Sequence, residues 1–420
     1  VVALWLANGP LAETYQHIVH TEIGFIIGEF GLKMSLHHWV NDGLMALFFF
    51  VVGLELKREI LVGELRDPRQ AVMPIMAALG GMLVPALIYF AVNPGGEAAR
   101  GWGIPMATDI AFAVGALALL ARRVPATLIT FLVALAIVDD LGAVIVIAVF
   151  YTDQLVLQWL WVAAGLVGVL VVFNLFGIRA ILPYLVIAVL LWFALLASGV
   201  HATLAGVLGA FTVPAMPKYD PDRFSEHVKE LMRDFDASHE PGKSILTNDQ
   251  LRGIVQTLEN GVHQVESPLQ RLEHLWHLPV AYLVIPIFAL VNAGIPLDFG
   301  KPGETFRDPV LLGVLLGLVL GKFIGISGAS WLVWKLGWAQ LPKGTRFSQI
   351  MGVSLLAGIG FTMSIFVAEL AFSAQPDLLL SAKTGILVGS LLAGVGGYLW
   401  LYLVSRRQPE PAARAAAEHS

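Results

Sequence analysis

From Val124 to Thr152 the chain runs for 29 residues with only two charged side chains, Asp139 and Asp140, adjacent to each other and next to the midpoint at Val138. About 20 helical residues cross the hydrocarbon core of a bilayer. The run therefore predicts a spanning helix with both carboxylates near the midplane, where a single aspartate costs roughly 2.5–3.5 kcal/mol on insertion scales. Stability gives no reason for such a placement. A cation or proton site inside the membrane does.

Composition supports the same class. Hydrophobic residues are 57% of the 420 and charged residues 14%, against about 25% charged in soluble domains. The expected fold is an all-α polytopic membrane protein. The net charge of -5 says little, because in such proteins its distribution matters more than its sum, and no nucleic-acid partner is expected. The absence of cysteine excludes disulfides, thiol catalysis and cysteine-held metals. No signal-peptide pattern opens the chain. Residues 1–8 are apolar and stop at Asn8-Gly9-Pro10, which reads as the tail of a truncated first helix.

Apolar stretches separated by polar punctuation place full spans at 36–62, 71–92, 102–121, 125–151, 155–175, 180–197, 200–213, 279–293, 309–335, 348–372 and 382–405. With the remnant this makes about twelve transmembrane helices. Lys and Arg set the orientation. If the first loop is outside, and with the long polar stretch at 215–278 left out, inner loops carry thirteen of them and outer loops five, which predicts both termini in the cytoplasm.

The chain thus divides into membrane spans at 1–214, a cytoplasmic polar segment at 215–278, further spans at 279–405 and a cytoplasmic tail at 406–420. In the polar segment Leu251, Ile254, Val255, Leu258, Val262 and Val265 recur at helical spacing, predicting one amphipathic helix. Residues 20–34 alternate weakly, with glycines at turn positions. They fit an external β-hairpin as well as an irregular loop, and a hairpin's open edge invites pairing with a second copy.

Two other spans carry charge at their centres. Asp109 is alone between Arg100 and Arg122, and Lys322 is alone between Asp308 and Lys335. A single intramembrane charge is often a structural ion pair. Four at matched depth point to an ion or proton pathway. Two segments are also poorly suited to continuous helix: 101–109 (GWGIPMATD) and 356–364 (LAGIGFTMS), the latter holding Gly358, Gly360 and Thr362. Each is the middle of a three-span set, 71–151 and 309–405, and the two sets start from opposite sides. That is the layout of an inverted repeat whose two broken helices cross at the midplane. Such half-helices expose positive N-termini and negative C-termini, which Asp109 and Lys322 respectively would offset. The plainer reading of any one glycine-rich segment is close helix packing.

At these residues the chain resembles the NhaA-type bacterial sodium/proton antiporters. The matching strings are 41–49 (NDGLMALFF), 52–60 (VGLELKREI), 105–112 (PMATDIAF), 136–143 (AIVDDLGA) and 358–366 (GIGFTMSIF), with 201–204 (HATL) and 271–274 (RLEH). The family is itself a standard example of inverted repeats with broken helices, so likeness and layout are not independent. The resemblance implies a secondary antiporter of the bacterial inner membrane that exchanges sodium or lithium for protons by alternating access. It needs no cofactor, lies among membrane lipids and forms a homodimer through the hairpin. It implies Asp140 as the main sodium-binding carboxylate with Asp139 beside it, and Thr108 and Asp109 at the helix crossing. Lys322 would pair with Asp139 or compensate helix ends. Glu55, Arg58, Glu59, Glu273, His274 and His277 match positions tied to pH sensing at the cytoplasmic mouth, and His201 matches one at the outer side. Two further departures are a longer 217–270 segment and Phe323, where the family pattern has proline.

Sodium prefers oxygen ligands, and Asp139, Asp140 and Thr108 supply them. Neighbouring helical residues point about 100° apart, so one aspartate can face a cavity while the other faces Lys322. Sodium and protons would then compete for Asp140. If a second group changes protonation in each cycle, the exchange moves net charge. Local helix pairing is the plainer account of Glu55 and Arg58. A sodium-coupled symporter needs an organic-substrate pocket that the broken spans do not offer. An intramembrane aspartyl protease needs Tyr-Asp and Gly-x-Gly-Asp strings within its spans, and the apolar spans hold neither. A passive channel would conduct without moving protons.

Overall fold

In hydrocarbon every backbone N–H and C=O must find its partner within the segment, and the long apolar runs accordingly form helices. The computed structural model describes residues 2–27, 30–152, 155–216, 221–238, 248–296 and 307–405. Among the described residues eight helices are long and apolar enough to span: Pro68–Val92, Glu97–Ala118, Ala126–Phe150, Leu157–Leu175, Ile181–Ser198, Pro268–Asn292, Pro309–Lys335 and Pro376–Ser405. A bent pair, Phe347–Leu356 and Phe361–Ala371, meets at 49° and makes the ninth. The protein is a polytopic helical membrane protein.

Two of the eleven expected spans stand outside that count. The 36–62 segment is helical from Leu36 to Leu61, passing through a π-helical stretch at Trp39–Leu44, and its last turns carry Glu55, Lys57, Arg58 and Glu59. The 200–213 segment forms only Leu204–Thr212, nine residues. At about 1.5 Å per residue it falls well short of the bilayer core. Such a helix leaves its last carbonyls unpaired. Lys57 Nζ meets this need by donating to Phe211 O and Val213 O at 2.6 and 2.5 Å, a cation at the negative end of a helix.

The span expected to begin at 279 begins at Pro268, where Ser267 and Gln270 form a reciprocal capping box. Among its described residues the polar segment holds two helices rather than one before Pro268, Pro221–Ser238 and Asp249–Val265, packed on each other. Leu251 and Ile254 are buried as the periodicity requires. The segment's flanks meet where Leu269 N donates to Pro214 O at 3.2 Å. The hairpin forms, with strands β1 (Glu22–Ile27) and β2 (Phe30–Ser35) antiparallel in a register from Glu22 opposite Ser35 to Ile27 opposite Phe30. A Lys33–Glu22 ion pair ties it across.

Site-bearing helices occupy the interior. The Pro309–Lys335 span is 61% buried against 11% for Leu157–Leu175. Pro68–Val92 crosses Lys322–Lys335 with the backbones nearly touching, so that a Cβ on Gly80 would come 2.6 Å from that of Ala329. Small residues permit such approaches in membranes, and this one sets the height of Lys322, one turn before Gly325.

Candidate functional site

Both glycine-rich segments break. In the first, a 3-10 helix over Glu97–Met106 stops, residues 107–109 are extended, and an α-helix resumes over Ile110–Ala118. In the second, Phe347–Leu356 ends in a turn at Ala357 and Gly358, and Phe361–Ala371 begins after Gly360. The two breaks hydrogen-bond to each other. Asp109 N donates to Ile359 O at 2.7 Å and Thr108 Oγ1 donates to Ala357 O at 2.8 Å. Gly360 has no room for a side chain, since a Cβ there would stand 2.8 Å from Leu318 Cδ2 and 3.0 Å from Ala107 O. Ser390 Oγ accepts from the N–H groups of Gly360 and Phe361 at 3.2 and 3.1 Å, closing the start of the second half-helix.

Asp109 serves both half-helix N-termini. Its Oδ1 accepts from Phe112 N at 3.3 Å. Its Oδ2 accepts from Thr362 N at 3.0 Å and also from the Thr362 hydroxyl. An anion there offsets two positive helix ends at once.

Lys322 is fully buried, and its Nζ donates to Asp139 Oδ2 at 2.7 Å and to Thr108 Oγ1 at 2.9 Å. Through Thr108 it connects to the terminal carbonyl of Ala357. The helix geometry changes just before Phe323, in a π-helical turn over Gly317–Gly321 that delivers Lys322. Phe323 itself packs edge-on to Trp400.

Asp140 is different. It is 0% exposed and neither carboxylate oxygen has a hydrogen-bond partner, while Asp139 Oδ1 is also unpartnered. The charges that act on it are Asp139, Asp109, Glu55 and Lys322, three carboxylates against one cation. A buried ion without compensation costs several kcal/mol. Chemically the site must therefore offer Asp140 a proton or a cation.

The profile of the family described as "Na+/H+ antiporter 1" matches residues 1–401. The chain belongs to this family. Among its relatives, "Na(+)/H(+) antiporter NhaA 1" of Saccharophagus degradans is 58% identical over 96% of this chain and 87% of its own length. "Na(+)/H(+) antiporter NhaA" of Sulfurimonas denitrificans is 52% identical over 97% of this chain and 91% of its own. The protein of the same description from Syntrophobacter fumaroxidans is 51% identical over 98% and 88%.

In this family member the remaining expected residues fall into two places. At one end of the bundle Arg58 pairs with Glu273 at 3.1 Å and with Glu59 at 3.3 Å, and His277 Nδ1 lies 3.3 Å from Glu55 Oε1. His274 is exposed and joins none of these pairs. His201 stands apart from this cluster, its Nε2 at 2.5 Å from Tyr151 O. Tyr151 Oη in turn donates to Arg100 O and accepts from Gly103 N at 2.7 and 3.3 Å, so His201 is linked to the first broken segment.

Several contacts had no sequence signal. Ser390 lies in an apolar helix where a serine is unremarkable, and Lys57 lies in a charged turn where a lysine is expected. Glu369, which contacts His37 and Lys383, lies near the end of the 348–372 run and not at its centre. Its position two turns past Thr362 on the same half-helix was the available clue.

Proposed function

We propose that the protein exchanges sodium, or lithium, for protons by alternating access, at one buried site centred on Asp140. Family membership supports the activity, and a fully buried carboxylate with two unpartnered oxygens carries the assignment of the site. Sodium, a hard cation, is held by Asp140 with oxygens of Asp139 and Thr108 to draw on. A proton on Asp140 removes the charge that sodium needs. Only one of the two occupies the site at a time, and each must leave before the other binds.

The Asp139–Lys322 pair is the second proton-handling group in this reading. When sodium arrives, Asp139 is drawn toward the ion and Lys322 is free to release its proton. Two protons then leave for each sodium, and the cycle moves one net charge. Asp109 and Thr362 hold the crossing intact while the sets 71–151 and 309–405 rock as a unit.

Control by pH belongs in this proposal to Glu55, Arg58, Glu59, Glu273, His274 and His277 at the cytoplasmic mouth and to His201 on the other side. Histidine is the side chain that changes charge in the physiological range. The hairpin edge joins two copies into a homodimer in the inner membrane, with both termini cytoplasmic. A symporter reading gains no support from the relatives.

The test is sodium-triggered pH change in proteoliposomes, comparing the native protein with Asp140→Asn. Proton movement in the native protein that is lost in the variant supports the assignment. Unchanged movement in the variant would remove Asp140 from the site.

A further inference from the structure

His37, Glu369 and Lys383 form a half-buried ionic trio remote from Asp140 in sequence. Glu369 Oε1 lies 2.5 Å from Lys383 Nζ and 3.4 Å from His37 Nε2, with side-chain exposures of 10%, 13% and 21% for Glu369, Lys383 and His37. Both basic groups act on the one carboxylate. Glu369 lies on the half-helix that starts beside Thr362, and Lys383 on the final helix, both inside the 309–405 set. His37 lies outside both repeated sets, two residues after the hairpin's second strand.

We propose that His37 and Glu369 form a latch between the repeated sets and the rest of the protein at the hairpin end. Protonation of His37 closes the latch, and proton loss releases it. The inference rests on the alternating-access reading above. The asymmetry of the trio makes the latch releasable. Lys383 travels with Glu369, so breaking the His37 contact does not strand a buried carboxylate, which would be costly. Without Lys383 the same contact would be a permanent structural pair.

The groups facing His37 favour a response to pH. From the Ala12–His20 helix, His20 stacks on it with ring centroids 6.2 Å apart, and His38 meets it edge-on at 6.0 Å. Asp42, one turn along its own run, feels His37, His38 and His201 together. Asn41 Nδ2 lies 3.4 Å from His37 Nε2 and its Oδ1 accepts from Asn292 Nδ2 at 2.7 Å. Only the charged form of His37 attracts Glu369 as an ion.

Exchange rates in vesicles of defined orientation test the proposal, with pH stepped on the hairpin side alone. His37→Gln keeps the polar bulk and removes the charge. It should run as fast as the native protein at alkaline pH and about threefold faster at acid pH, the scale of a partly exposed charge pair. Glu369→Gln should reproduce that profile, and profiles superimposed on the native one at both pH values would overturn the latch. The natural absence of cysteine permits a second test. A reducible bis-thiosulfonate joining His37→Cys to Glu369→Cys should arrest exchange until reductant is added, while the reagent leaves the rate of each single variant unchanged. Continued exchange in the cross-linked protein would also overturn the latch. Failure of the antiport reading is distinct, because the native protein would then move no protons with sodium at any pH.

Discussion

Asp109 and Thr362 lie 253 residues apart in sequence, yet the Asp109 carboxylate accepts from both the backbone N–H and the hydroxyl of Thr362. With its other oxygen on Phe112 N, one side chain caps two half-helices from different repeats. The crossing is therefore a single bonded unit and not two breaks that happen to be neighbours.

Asp109→Ala should uncap both helices together. Each lost cap costs about 0.5–2 kcal/mol, so melting of the detergent-solubilised protein should show a destabilisation of about 1–4 kcal/mol. Thr362→Val keeps the N–H and loses only the hydroxyl, and should cost about 1 kcal/mol. Equal melting points for native and Asp109→Ala protein would contradict the shared cap.

Lys322→Met leaves Asp139 buried and uncompensated, at an expected cost of about 3–5 kcal/mol. Adding Asp139→Asn removes the orphaned charge. The double variant should melt above the Lys322→Met single variant while remaining defective in transport. A double variant less stable than either single one would show that the pair is not the dominant interaction of these side chains.

Net charge movement makes exchange sensitive to voltage. One elementary charge is worth about 2.3 kcal/mol per 100 mV, so a potassium diffusion potential should drive sodium uptake or release according to its sign. Exchange indifferent to an imposed potential would rule out a second titrating group.

His277 and Glu55 attract as ions only while the imidazole is protonated. The contribution of that pair is therefore present at acid pH and lost as pH rises and the imidazole gives up its charge. His277→Gln should flatten the change in exchange rate across the physiological pH range. Glu273→Gln removes a second ionisable group of the same mouth together with its contact to Arg58, and should flatten the profile as well. A steep profile in His277→Gln would move pH sensing to another group.

Gly360→Ala should fail for a steric reason. The added Cβ meets Leu318 and Ala107 O, so the two breaks must separate and the variant should lose both melting temperature and exchange. Normal behaviour would mean that the crossing yields more easily than its packing implies.

The centre of this protein was legible because charge inside apolar sequence is rare enough to stand out. Asp109, Asp139, Asp140 and Lys322 announce themselves by isolation, and all four are buried. The same logic misses Glu369 and Lys383, since charges near the ends of apolar runs are ordinary and only the fold brings these two to His37. Length misled at 200–213, where an apolar run suits a short helix as well as a span. The Pro221–Ser238 helix was not among the expected elements, although Phe224, Val228, Met232 and Phe235 stand at helical spacing. π-Helical turns such as Gly317–Gly321 leave no trace in periodicity, because one extra residue in a uniformly apolar run changes nothing visible.

The join between Pro214 and Leu269 turns everything between them into a closed ring hanging from a clasp. Doubling the length of a flexible ring adds only about 0.6 kcal/mol of closure cost, and the clasp keeps that change from reaching the helices on either side. Lys57, gripping Phe211 O and Val213 O, anchors the clasp to the helix that carries Glu55 and Arg58. A change of chain length between Pro214 and Leu269 should therefore leave the positions of Glu55 and Arg58 as they are.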